Sequence, residues 1–365
     1  MNRWIISFII GSIVSAAALA ISFKNIPIQD ILHSMFDFDY RWGLVSIALA
    51  YSSIVIRALR WQLIIQAVYN VSFRDVYNPV ILSYFINCIL PGRVGELVRP
   101  ILLTKEKKIP FSFGIATLAA DRFFDVTILL GLYIIVMHYL IIDPTISITF
   151  ANITLTTDTL HSIGHKMFIL MIILICMIIG FSIKLTRQMI IFLITFCFNC
   201  LLMIIPSRYE SFMRAIILDP FLKIMYSFAE GLELIKHPRM TIMCFALTAL
   251  TWFTSWLSFY TIAKGFNGID LSCFQTLTLL IIVCFIVALP SVPGYWGIWE
   301  AGGMFAMALF GFTGESAAGF TLINHTIQLI PPFIAGFIAM TITGTTLFKL
   351  NVYDTSGMCH DKNNK

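Results

Sequence analysis

The stretch that decides the fold reads Leu90-Pro91-Gly92-Arg93-Val94-Gly95-Glu96-Leu97-Val98-Arg99-Pro100. A second of the same kind reads Leu289-Pro290-Ser291-Val292-Pro293-Gly294-Tyr295-Trp296-Gly297-Ile298-Trp299-Glu300. Each follows an apolar run of helix length, interrupts it with proline and glycine, and sets a glutamate a few residues later. Proline removes a backbone donor and glycine loosens the helix, so amide and carbonyl groups are freed at both breaks. Such groups cannot face hydrocarbon; they line a cavity or are buried in protein. A membrane helix interrupted in corresponding places of two halves points to a transporter's substrate site. The chain therefore reads as a membrane transport protein.

Composition agrees. Of 365 residues, 59% are hydrophobic and 12% charged, against roughly 25% charged in an average soluble domain. The mean hydropathy is +0.89. A formal charge of +5 on such a chain reports membrane topology, and no basic aromatic face suggests nucleic acid. The eight cysteines are scattered, nearly all inside apolar runs, and Cys197-x-x-Cys200 has no second ligand pair nearby, so these read as small buried hydrophobes. No cofactor or metal motif is present: there is no Walker loop, no H-E-x-x-H and no G-x-S-x-G.

A span needs about 20 apolar residues. Trp4–Ile21 reads as an uncleaved first helix and Trp42–Val68 as the second, with Arg57, Arg60 and Trp61 near its end. Phe73–Leu90 enters the first break, Val94–Leu103 leaves it, and a long run covers Ile109–Ile142. After the polar loop Asp143–Lys166 come Met167–Ile183, Met189–Ile205, a charged amphipathic stretch Ser207–Arg239 and Met240–Ala263. Leu271–Leu289 enters the second break, Gly297–Leu309 leaves it, and Ser316–Leu347 carries Pro331-Pro332. The expectation is an all-α polytopic bundle built as an inverted repeat with two broken, re-entrant hairpins. Residues 1–350 form one transmembrane domain with halves at about 1–142 and 167–350; 351–365 is a polar cytoplasmic tail.

Lys and Arg crowd the region from Arg57 to Lys108, whereas the Asp143–Lys166 loop has a single lysine. The Lys/Arg excess marks the cytoplasmic side, which predicts both termini inside and that loop outside. Arg187–Arg239 is again basic; keeping it inside requires Met189–Ile205 to be re-entrant or interfacial.

Arg93, Glu96 and Arg99 are spaced by three, which predicts one helical face just after the break, where a helix N-terminus and two guanidinium groups would grip an anion such as phosphate. Asp121, Arg122 and Asp125 lie inside an apolar helix, where ionisable groups face a polar cavity or a partner. Arg122 follows Glu96 by 26 residues, and His325 follows Glu300 by 25. Glu300, alone in an uncharged region, reads as a proton carrier or the partner of a distant arginine, and His325 as a proton relay or an interhelical bond. The breaks themselves are Pro91, Gly92 and Gly95, then Pro290, Pro293, Gly294 and Gly297. The stripe Thr248, Thr251, Ser255, Ser258 reads as a close-packing face.

Pro91-Gly92-Arg93-Val94-Gly95-Glu96-Leu97-Val98-Arg99 resembles the flippase-like integral membrane family that contains the transmembrane region of lysylphosphatidylglycerol synthases. Arg57-x-x-Arg60-Trp61, Asp121-Arg122-x-x-Asp125 and Pro290-x-x-Pro293-Gly294-x-x-Gly297-x-x-Glu300 resemble three further motifs of that family, in the same order. Asp121 stands where glutamate is usual there, and Asn324-His325 where arginine is frequent. The resemblance covers the membrane region and not the soluble aminoacyl-transfer domain of full synthases, so it implies lipid translocation rather than lipid synthesis. Together these readings predict a non-enzymatic carrier of an anionic-headgroup lipid, a phospholipid or polyprenyl-phosphate-linked sugar, in a bacterial plasma (inner) membrane. The alternatives are a membrane-embedded lipid glycosyltransferase or an accessory subunit working with a lipid-synthesising enzyme.

Overall fold

A computed structural model of the chain describes residues 26–90, 93–139, 148–150, 153–155, 184–202, 213–222, 237–287 and 292–343, with short pieces at 13, 16–20, 22–23, 165–166, 168–169, 172–173, 176, 225–226 and 234. Pro91, Gly92, Pro290 and the tail 351–365 lie outside the described residues, as do most of Trp4–Ile21 and Met167–Ile183.

Helix α1 (Ile28–Phe36) precedes α2 (Tyr40–Gln66), whose first turn is capped by the Asp39 carboxylate accepting from the Arg41 amide. Helix α3 (Phe73–Ile89) starts at Ser72, with the Asp75 side chain accepting from the Ser72 amide. A 3₁₀ turn, Val94–Leu97, leads into α4 (Val98–Lys107) and then α5 (Phe111–Tyr139). The architecture is helical as expected, with one short antiparallel pair, β1 (Ile148–Phe150) and β2 (Ile153–Leu155), within the Asp143–Lys166 loop. Helix α6 (Lys184–Leu202) follows, then α7 (Pro238–Lys264) with proline at its first position, and α8 (Cys273–Val287). A second 3₁₀ turn, Pro293–Tyr295, leads into α9 (Ile298–Ala308) and α10 (Gly314–Thr343), which continues through Pro331 and Pro332.

Among the described residues, four helices are long and apolar enough to cross a membrane: α2, α7, α10 and Leu185–Leu202 of α6. The molecule is a helical membrane protein. The last of these, which covers most of Met189–Ile205, is of spanning length and composition.

The order helix, helix, 3₁₀ turn, short helix, long helix occurs twice, as α2–α5 and α7–α10. Contacts repeat with it. Helices pack as α2 on α3, α3 on α4 and α4 on α5 in one unit, and as α7 on α8, α8 on α9 and α9 on α10 in the other. Between units, α3 meets α10 as α8 meets α5, and α2 meets α10 as α7 meets α5. The first helices, α2 and α7, cross at the centre. Ser46 bonds Ser258 while Arg60 bonds Thr248, so the later residue of α2 meets the earlier residue of α7 and the two run antiparallel. One apolar core gathers around Trp61, Val80, Phe113 and Phe124, the other around Phe259, Val283, Met307 and Phe320.

Candidate functional site

The first break is stitched to the helix it leaves. The Gly95 amide donates to Asn87 Oδ1 at 2.9 Å, and a Cβ at position 95 would collide with the Ser83 carbonyl oxygen and with Asn87. Only glycine fits so close an approach. Arg93, just before, holds a left-handed backbone with φ 56°.

Beyond the break, arginines and carboxylates from four elements interlock. Arg60, completely buried on α2, reaches Asp121 Oδ1 at 2.7 Å and donates to Asp125 Oδ1 at 2.8 Å and Thr248 Oγ1 at 2.9 Å. Arg57 takes the other Asp125 oxygen at 2.8 Å. Arg99, buried on α4, donates to Asp121 Oδ2 at 3.2 Å and stands over the rings of Trp61 and Tyr84 at 5.6 and 5.4 Å. Arg122 touches Glu96 at 3.6 Å, Asp121 at 3.4 Å and Asp125 at 3.4 Å. Arg93 donates to the Val287 carbonyl at 2.7 Å and lies 5.5 Å from the Tyr295 ring centroid.

The three residues expected on one helical face thus diverge: Arg93 reaches α8, Glu96 meets Arg122 and Arg99 meets Asp121. The reason is local, since a left-handed residue and a 3₁₀ turn interrupt the regular 3.6-residue period before α4 begins. Asp121, Arg122 and Asp125 do come together, but the strong partner of both aspartates is Arg60. Arg57 and Arg60, taken to mark the approach to a helix end, are instead central members. Their signal was present: two arginines one turn apart within an apolar helix.

Five arginines (57, 60, 93, 99, 122) face three carboxylates (96, 121, 125), a surplus of two positive charges. Arg99 Nε is buried without a hydrogen-bond partner, and the 3.6 Å separation leaves Arg122 Nε without one as well. Arg57, Arg93, Glu96 and Arg122 are half-buried, so they form the accessible side of the cluster. Surplus charge in a low-dielectric setting is costly unless an anion completes it.

The second break is closed by a different device. Glu300, completely buried, accepts from the Gly297 amide at 2.7 Å and meets His325 Nδ1 with its other oxygen. His325 Nε2 lies 2.7 Å from the Gly294 carbonyl, which can only accept, so that nitrogen carries a proton. Trp299 stacks on the imidazole at 4.9 Å with 7° between planes, and Trp296 lies 4.6 Å away. Gly294 and Gly297, with φ of 66° and 88°, supply the turn, and Pro293 opens its 3₁₀ segment. The two breaks meet through Arg93 and Tyr295, and Gly294 lies beside the Cys88 carbonyl at the end of α3. Glu96 and Glu300 share no arginine; each binds within its own unit. The Thr248–Ser258 stripe does pack closely, through Ser258 on Ser46, and Thr248 also accepts from Arg60.

Fold and site together define a polytopic helical membrane protein with a charged cluster at the meeting point of two interrupted helices. The chain belongs to the family described as the lysylphosphatidylglycerol synthase TM region, which matches residues 8–336. It is similar to a UPF0104 membrane protein of Methanocaldococcus jannaschii, 23% identical over 299 residues, 79% of this chain and 80% of that protein. It is also similar to the glycosyltransferase AglD of Haloferax volcanii, 23% identical over 128 residues. That match covers 35% of this chain and only 20% of AglD.

Proposed function

We propose that the protein moves a lipid with an anionic headgroup, a phospholipid or a polyprenyl-phosphate-linked sugar, between membrane leaflets. The observation that carries this reading is the surplus of two arginine charges on the half-buried side of the cluster, where Arg93 and Arg122 can grip a phosphate in bidentate fashion. The chain acts as a carrier beside a lipid-synthesising enzyme, in a plasma (inner) membrane with both termini cytoplasmic. Purified protein in liposomes with a fluorescent anionic lipid should equalise the dye between leaflets without altering the lipid chemically.

The match to a glycosyltransferase favours a second reading, a membrane-embedded transferase using the same acids and arginines. It predicts a new lipid product when a sugar donor is added, and no change of leaflet without one. Orientation is tested separately, by cysteine labelling: a cysteine at Leu155 should label from outside only, and one at Glu106 or Met225 from inside only.

A further inference from the structure

Between α5 and α7 runs an open groove of about 820 Å³. Its walls are apolar side chains such as Ile135, Leu250 and Phe253, and both flanking helices are of membrane length. Two features distinguish it from the ordinary lipid-facing surface. Trp252 lines it, is buried, and has an indole N–H without any hydrogen-bond partner. A buried donor left unpaired costs about 1–3 kcal/mol, so an acceptor that reached this nitrogen would be stabilising. Moreover, the Arg57 guanidinium lies 5.5 Å from the centroid of the same indole, which brings the groove's end to the arginine cluster. Apolar walls that end at an unpaired donor and a cation fit an amphiphile with a long chain and a negative, acceptor-bearing head.

The counterpart crevice, between α2 and α10, differs. It holds about 310 Å³, with Met35 of α1 in its wall, and neither an arginine nor a tryptophan lines it.

We propose that the α5–α7 groove seats one hydrocarbon chain of an anionic membrane lipid, with an acceptor oxygen of that lipid on Trp252 Nε1 beside Arg57. The proposal deepens the transport reading and rests on it for the anionic character of the lipid. Gly131, on the groove wall, offers a clean probe, because a Cβ built there meets nothing within 4 Å. Gly131→Phe therefore adds bulk to the groove from a position where a Cβ meets no neighbour.

The test uses full-length protein in phosphatidylcholine nanodiscs containing phosphatidylglycerol with a photoreactive diazirine on one acyl chain. After illumination, peptide mapping should place the label on groove residues of α5 and α7, several-fold above the same chain carried on phosphatidylcholine. Gly131→Phe should reduce groove labelling several-fold with unchanged thermal unfolding, and Trp252→Phe, which keeps a ring but removes the N–H, should reduce the preference for phosphatidylglycerol. Equal labelling by both lipids, label that Gly131→Phe does not lower, or an unlabelled groove that cross-links instead to another segment of this chain would overturn the proposal. Anionic-selective groove labelling by protein that moves no lipid would remove the transport reading alone. Translocation with no groove labelling would remove the groove alone.

Discussion

The two units of the molecule use one backbone plan with different electrostatics. In the first, Arg60 of α2 clamps Asp121 and Asp125 of α5; in the second, the corresponding crossing of α7 and α10 is a neutral bond from Gln328 to Ser258. In the first, the glutamate after the break meets Arg122 at 3.6 Å on a half-buried face; in the second, Glu300 and His325 are sealed from solvent and bound to both glycines of the turn. An arginine keeps its charge, whereas a glutamate–histidine pair sharing one proton is neutral overall. Under the proposed function the first break recognises the anion, while the second is closed by a self-satisfied clasp.

Breaking the first unit's clamp should do most harm. Arg60→Ala removes the fully buried guanidinium that bonds both Asp121 and Asp125, and breaking such a buried pair typically costs about 3–5 kcal/mol, so we expect little folded protein on size-exclusion chromatography in detergent. Glu300→Gln comes next. It disrupts a fully buried pair and the cap at Gly297, a loss of about 1–3 kcal/mol, read as a lower midpoint of thermal unfolding, and translocation should stop.

Glu96→Gln sharpens the contrast between the units. Its partner is distant and half-exposed, so stability should fall by less than about 1 kcal/mol, yet transport should be lost. A large stability loss here would make Glu96 a structural residue like Glu300. Ser258→Ala is the smallest change. A hydrogen bond between membrane helices averages about 0.6 kcal/mol, and transport should persist.

Much of this was legible beforehand, and the parts that were not share a cause. Proline and glycine act locally, so both breaks, the repeat of elements and the long helices followed from spacing along the chain. The pairing of Arg60 with Asp121 and Asp125 joins residues 61 and 65 positions apart, and no local period encodes which helices touch. Arg93, Glu96 and Arg99 were placed on one face because a regular helix was extended back across the left-handed turn at Arg93. The Glu300–His325 contact was foreshadowed only by its near-equal spacing to Glu96–Arg122. The strands Ile148–Phe150 and Ile153–Leu155 show that a polar, threonine-rich loop also carries β-branched residues able to pair.

The central claim, that the first unit's arginine surplus serves to carry an anionic lipid, is tested most directly by leaflet exposure. Fluorescent phosphatidylglycerol is placed in proteoliposomes, and its outer-leaflet fraction is followed by dithionite quenching for wild-type protein and Glu96→Gln. The account predicts that wild-type protein exposes dye from the inner leaflet, while the folded variant matches protein-free liposomes. Wild-type vesicles that retain their inner-leaflet dye, or a variant as fast as wild type, would contradict it.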